Sequence, residues 1–129
     1  MSAINSITLA DGQDTPVEKI FEVVTAQQGA DAPAVWAERS GGTFASFKNL
    51  TMSVRRAQNS TSTKVVLRIK DPTVDSVTGA VKYNTLVALD FTLPDSANLQ
   101  NRKDILAYAK NVLANATVVD AVHNMSPAY

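Results

Sequence analysis

The sequence predicts an α+β fold: an N-terminal β-hairpin and antiparallel β-meander followed by two C-terminal helices. Three observations carry that expectation. Short runs rich in β-branched and aromatic residues, separated by turn chemistry, fill the chain up to about residue 93. Several of these runs alternate apolar and polar residues, giving one buried and one polar face; parallel strands would be apolar on both. Beyond Pro94 the apolar period changes to helical spacing, and strands followed by segregated helices define the α+β class. At 129 residues and 45 % hydrophobic content, the chain fits one domain over 1–129.

Ile4 to Ala10 reads as the first strand, Asp11-Gly12-Gln13-Asp14 as a turn and Val17 to Thr25 as the returning strand. Gln27 to Pro33 is a Gly/Ala/Asp loop, after which Ala34-Val35-Trp36 forms a short strand that stops at Ser40-Gly41-Gly42. In the next strand Leu50, Met52 and Val54 interleave with Thr51, Ser53 and Arg55. Past a turn at Gln58 to Thr61, Val65, Leu67 and Ile69 alternate with Lys64, Arg68 and Lys70, and Asp71-Pro72 is expected to end that strand. Asp75 to Gly79 is a loop, and Tyr83 to Leu93 is the last strand, with Val87, Leu89, Phe91 and Leu93 on its apolar side. Pro94-Asp95-Ser96 supplies a helix start, and a helix over 97–114 presents Leu99, Ile105, Leu106, Ala109, Val112 and Leu113 as its stripe. Thr117 to Asp120 matches a capping box for a second helix over 117–125, terminated by Ser126-Pro127. Two helices of about 27 residues give roughly 40 Å of helix. That is thin cover for the apolar face of a sheet of five or more strands, so a dimer with helices lying across the partner's sheet is expected.

Several chemistries are excluded. The chain has no cysteine and one histidine, which removes disulfides, thiolate nucleophiles and most zinc sites. No apolar run approaches the roughly 18 residues of a membrane span. The start lacks a basic, apolar secretory leader, so a cytosolic origin is expected, with the initiator methionine trimmed ahead of Ser2. His123 near Asp120 reads as a surface histidine at a helix C-terminus. Asp71 and Asp75 read as loop carboxylates, and Gly41-Gly42 opens no phosphate-binding motif. No enzyme, cofactor or metal site is expected.

The charges cancel over the whole chain but divide along it. Residues 1–42 carry a net of −4, residues 43–93 a net of +4, and the remainder is neutral. By the period-two rule Thr51, Ser53, Arg55, Lys64, Arg68, Lys70 and Lys82 share one polar sheet face. Short hydroxyl side chains leave room for a base while lysine and arginine hold phosphates, as in uptake of single-stranded or looped RNA. On these residues alone the face reads either as an RNA-binding surface or as a solvated sheet face.

The succession of hairpin, meander and two helices, the tail from Val119-Asp120-Ala121-Val122 to Asn124-Met125-Ser126-Pro127-Ala128-Tyr129, the strand Thr51-Met52-Ser53-Val54-Arg55 and the Trp36 strand resemble the coat proteins of levivirus-type single-stranded RNA bacteriophages. The resemblance implies a structural protein, not an enzyme, that forms intertwined dimers and an icosahedral shell of T=3 type around single-stranded genomic RNA. It implies residence in the virion after assembly in the bacterial cytoplasm, without membrane, cofactor or small-molecule substrate. It places Asp71 to Val81 as the loop that meets its neighbours at symmetry axes. It further implies that the sheet face binds an RNA hairpin and represses translation. In that likeness Thr51 and Ser53 fall where pocket residues for an unpaired base sit, Arg68 where a basic pocket residue sits and Lys64 where a phosphate contact sits. Leu86 and Ala88 stand where the family carries a tyrosine and a polar residue, and Val66 where a polar pocket residue is common. General electrostatic binding of the genome is therefore expected ahead of selective hairpin recognition. A dimeric RNA-binding regulator that never assembles is the alternative.

Overall fold

A computed structural model describes residues 3–29, 31–56 and 58–128. Trimming at Ser2 and the terminal Tyr129 of the tail motif lie outside the described residues. The chain divides into two compact units, Met1–Thr92 and Leu93–Tyr129.

In the first unit the strands are β1 (Ile7–Ala10), β2 (Glu18–Thr25), β3 (Ala34–Glu38), β4 (Lys48–Arg55), β5 (Ser62–Val74) and β6 (Val81–Pro94, whose last two residues belong to the second unit). They form one six-stranded sheet in sequence order, the meander that the alternation and the turn spacing predict. The β1–β2 turn closes around Asp11, whose carboxylate accepts the backbone N–H groups of Val17 (3.0 Å) and Gln13 (3.2 Å). Those bonds, with the Gln13 side chain and nearby Lys19, hold the Asp11 carboxyl below its ordinary value against the opposing pull of burial.

The core lies on one face. Phe21, Ala34, Trp36 and Leu50 are buried, and Ile4, Ile7, Val23, Met52, Leu67 and Ile69 pack against them. Register produces this grouping: Trp36 pairs with Leu50 and Val23, Leu50 with Ile69, and Met52 with Leu67. The Trp36 indole N–H donates to the backbone oxygen of Asn5 (2.8 Å), fastening the N-terminal segment to the core. Glu38 is buried at the end of β3. Burial opposes its charge, but the Ser40 hydroxyl and N–H and the Lys48 and Lys19 cations outweigh it, so its carboxyl sits below the usual glutamate range.

Three boundaries differ from the sequence expectation. β5 does not end at Asp71-Pro72 but continues through Pro72 to Val74. Asn49 pairs with Lys70, so β4 is almost exhausted at that level and Pro72 removes no donor that β4 could use. Helix α1 spans Leu99–Val112, because Pro94 to Ala97 closes a turn (Ala97 N–H to Pro94 O, 2.9 Å) and Asn98 is the cap. The Asn98 side chain accepts the Asn101 N–H (2.8 Å) and the Asn101 side chain accepts that of Asn98 (3.3 Å), a reciprocal box built from two asparagines. Helix α2 spans Ala116–Asn124 and is capped by Asn115, which accepts the Thr117 N–H (3.0 Å); the Thr117–Asp120 box does not form. Met125 leaves the helix in the left-handed region, at φ 53°.

Neither helix contains a buried residue. Leu99, Ile105, Leu106, Tyr108, Val112, Leu113 and Val122 are all exposed, as are Tyr83, Leu86 and Val87 of β6. His123 is exposed, and the Asp120 carboxylate is engaged by Asn124 (2.7 Å).

Candidate nucleic-acid interface

The opposite face of β4 and β5 is built by the same register that makes the core. Thr51 pairs with Arg68, Ser53 with Val66, Arg55 with Lys64 and Asn49 with Lys70. Because side chains alternate along each strand, these eight residues share the face turned away from Leu50, Met52, Leu67 and Ile69. Six of the seven predicted residues therefore come together: Thr51, Ser53, Arg55, Lys64, Arg68 and Lys70. Lys82 lies at the exposed start of β6, apart from the paired rows of β4 and β5.

At the middle of this face is a shallow pocket of about 210 Å³, lined by Thr51, Ser53, Arg55, Val66 and Arg68 together with Asp31 and Pro33. Lys64 and Lys70 stand at its two ends on β5. Pro33 and Asp31 reach the pocket because Ala34 pairs with Met52, so the chain entering β3 runs alongside Ser53 and Arg55. Their participation escaped the sequence reading, which treated Gln27 to Pro33 only as a loop; extending the β3 alternation backward past Ala34 would have found them.

The loop before β3 is held by a glutamine acting as a piece of strand. The Gln27 side chain donates to Val54 O (2.6 Å) and to Gly29 O (3.0 Å) and accepts the Val54 N–H (2.9 Å). Gln28 N–H donates to Ala32 O (3.0 Å), closing the loop on itself.

The electrostatics are one-sided. Among the described residues the ion pairs are Arg39 with Glu22 (3.8 Å) and Lys48 with Asp71 (3.3 Å), and neither engages a cation of the β4–β5 polar face. Among the described residues, none offers a carboxylate within 4.0 Å of Arg55, Lys64, Arg68, Lys70 or Lys82. Cations so placed around hydroxyl groups present an anion-attracting surface with space between the charges for a planar group. No group of three or more metal-ligating side chains occurs among the described residues, and no helix is long and apolar enough to cross a membrane.

A family model described as levivirus coat protein matches residues 2–129. Among solved structures, the virus-like particle of bacteriophage NT-214 is 36 % identical with a TM-score of 0.90, over 99 % of this chain and 100 % of that one. The virus-like particle of bacteriophage ESE058 is 24 % identical with a TM-score of 0.88 over the same shares. An unassembled coat protein dimer described as an RNA-binding bacteriophage dimer shares the fold at 17 % identity and a TM-score of 0.70, covering 97 % of each chain. No curated protein matches the chain in sequence.

Proposed function

The chain belongs to the levivirus coat protein family, and from that premise we propose that it forms dimers that close into an icosahedral shell, with the polar face of β4 and β5 holding single-stranded RNA inside. The observation that carries the RNA half is the set of cations, Arg55, Lys64, Arg68 and Lys70, gathered around Thr51 and Ser53 with no ion-pair partner among the described residues. Phosphate contacts from such residues supply sequence-independent affinity by releasing counterions. Lys82 extends the same charge along β6. Assembly is supported by the likeness to the NT-214 particle along the whole chain. It is supported also by the exposed apolar side chains of α1, α2 and β6, which a single chain leaves in water.

Dimerisation precedes closure: the apolar helix stripes are covered by the partner's sheet, and the loop between β5 and β6 adjusts where dimers meet. Assembly takes place in the bacterial cytoplasm, where the chain finds its RNA. Expression of the chain alone in bacteria, followed by electron microscopy and nuclease-protected RNA analysis of the purified product, tests this directly. Closed, RNA-filled shells are expected. A product that elutes only as a dimer and carries RNA would establish the non-assembling regulator instead.

A further inference from the structure

The turns of a meander in sequence order alternate between the two ends of the sheet, so β1–β2, β3–β4 and β5–β6 turn at one end and β2–β3 and β4–β5 at the other. The two ends differ in chemistry. Gln27 to Pro33 and Arg56 to Thr61 contain no aromatic, leucine, isoleucine, valine or methionine. Each of the other three connections holds an exposed large apolar side chain, Val17, Phe44 and Val77, the last two 90 % exposed. Single exposed apolar side chains are ordinary on protein surfaces, but their segregation to one end is not. Phe44 is also held in place by its turn. The β3–β4 connection closes as one 3-10 turn, Phe44–Ser46, around the buried Ser46. The Ser46 hydroxyl donates to Thr43 O (2.8 Å) and accepts the Thr43 N–H (3.3 Å) and hydroxyl (3.0 Å). Gly41 makes room for it, since a Cβ there would collide with the Ser46 side chain. The half-buried Phe47 ring packs against that of Phe44 (centroids 6.0 Å apart, 58° between planes) and leaves most of it in water.

The chemistry of this end suits protein rather than RNA. The two basic residues that flank the β3–β4 turn are engaged by carboxylates, Arg39 by Glu22 and Lys48 by Asp71. The other two turns carry Asp11, Asp14 and Asp75 and neither lysine nor arginine, so the end offers a phosphate backbone little attraction. Nor does the dimer partner suit it: helices lying across a sheet cover a face, whereas turn tips project beyond the ends of the strands. A further copy of the chain remains, since a shell closes only where dimers touch through contacts other than the dimer interface. An aromatic ring fixed by its turn before contact loses little freedom on burial, which fits it to anchor such a contact. We propose that this end of the sheet is where one dimer meets the next, with Phe44 as the anchor; the assignment rests on the shell-forming reading above.

The test expresses the full-length chain and its Phe44→Ser and Phe44→Leu variants alone in bacteria. Size-exclusion chromatography and electron microscopy then measure the share of each product in shells and in dimers. Wild type is expected as shells. Phe44→Ser is expected to lower the ratio of shells to dimers by about tenfold or more, the loss that follows when one large apolar side chain is no longer buried. Its dimers should be folded by circular dichroism and should bind a short oligouridylate as tightly as dimers dissociated from wild-type shells. Phe44→Leu, which keeps an apolar side chain on the turn, is expected to recover most of the shells. Undiminished shells in Phe44→Ser, or no more shells in Phe44→Leu than in Phe44→Ser, overturn the proposal. So does an unfolded Phe44→Ser product, which would make the ring part of the fold, or weaker oligouridylate binding by its dimers, which would make the ring a stacking platform for a base. Wild type that forms no shells overturns the shell-forming reading and this contact with it.

Discussion

At Lys64 and Arg68 the side chains rise from one strand on the polar face, each opposite a residue of β4 that the core packing has already oriented. Their contribution is electrostatic, so replacing both by alanine should flatten the salt dependence as well as weaken binding. At roughly 0.7 per phosphate contact on a single strand, the slope of log K against log salt is expected to fall by about 1.4 in the double variant. A titration of one oligomer at several salt concentrations measures it, and an unchanged slope would remove these two residues from the interface. Glu38 is the second residue of consequence, because it is buried and yet charged. Its folded-state pKa lies below that of the unfolded chain. The associated stabilisation is thus complete above the ordinary glutamate range, about 4.3, and is lost as pH falls through the folded value. Glu38→Gln should lower the melting temperature at pH 7, and the gap from wild type should narrow at pH 3.

The elements owe their positions to pairing more than to local propensity. β4 carries the core on one side and the cationic face on the other, so a one-residue slip would exchange Leu50 and Met52 for Thr51 and Ser53. Trp36, paired with Leu50 and hydrogen-bonded to Asn5, guards against such a slip. At the far end, Asp75 organises the β5–β6 turn by accepting the N–H groups of Val77 (2.7 Å) and Thr78 (3.2 Å), with Gly79 at φ 73° completing it. Val77 is left at the turn, 90 % exposed, an arrangement suited to contact with another subunit. Deleting residues 74–78 should leave folded dimers and impair shell closure, seen as a shift from particle to dimer in size-exclusion chromatography. Unchanged shells would take this turn out of the contacts between dimers.

For the whole molecule, the decisive quantity is the apolar surface a lone chain leaves in water. Val112 and Leu113 at the end of α1 are each about half exposed, at 51 % and 52 %. If the partner covers them, an aspartate there carries an uncompensated charge into the shared core. Val112→Asp is expected to abolish dimers and, because stability and association are linked, to leave little folded protein at micromolar concentration. Sedimentation together with circular dichroism checks both consequences. A folded, stable monomer would show that the dimer is dispensable to the fold.

The fold class, the strand alternation of β4 and β5 and the two helices were legible in the sequence because each rests on periodicity, a local property that backbone geometry imposes. Six of the seven predicted face residues came together for the same reason: once β4 and β5 pair, period two leaves them only one side to occupy. Helix starts were less legible, since asparagines at 98 and 115 cap as well as the serine and threonine signals at 96 and 117, and the turn preceding each helix chose between them. Pro72 inside β5 was hidden because its tolerance depends on where β4 runs out. Asp31 was hidden more deeply. Nothing in Gln27 to Pro33 marks its carboxylate; only the pairing of Ala34 with Met52 and the hold of Gln27 on Val54 bring it to Ser53 and Arg55, and contacts between distant segments are set by register, which tertiary structure alone decides.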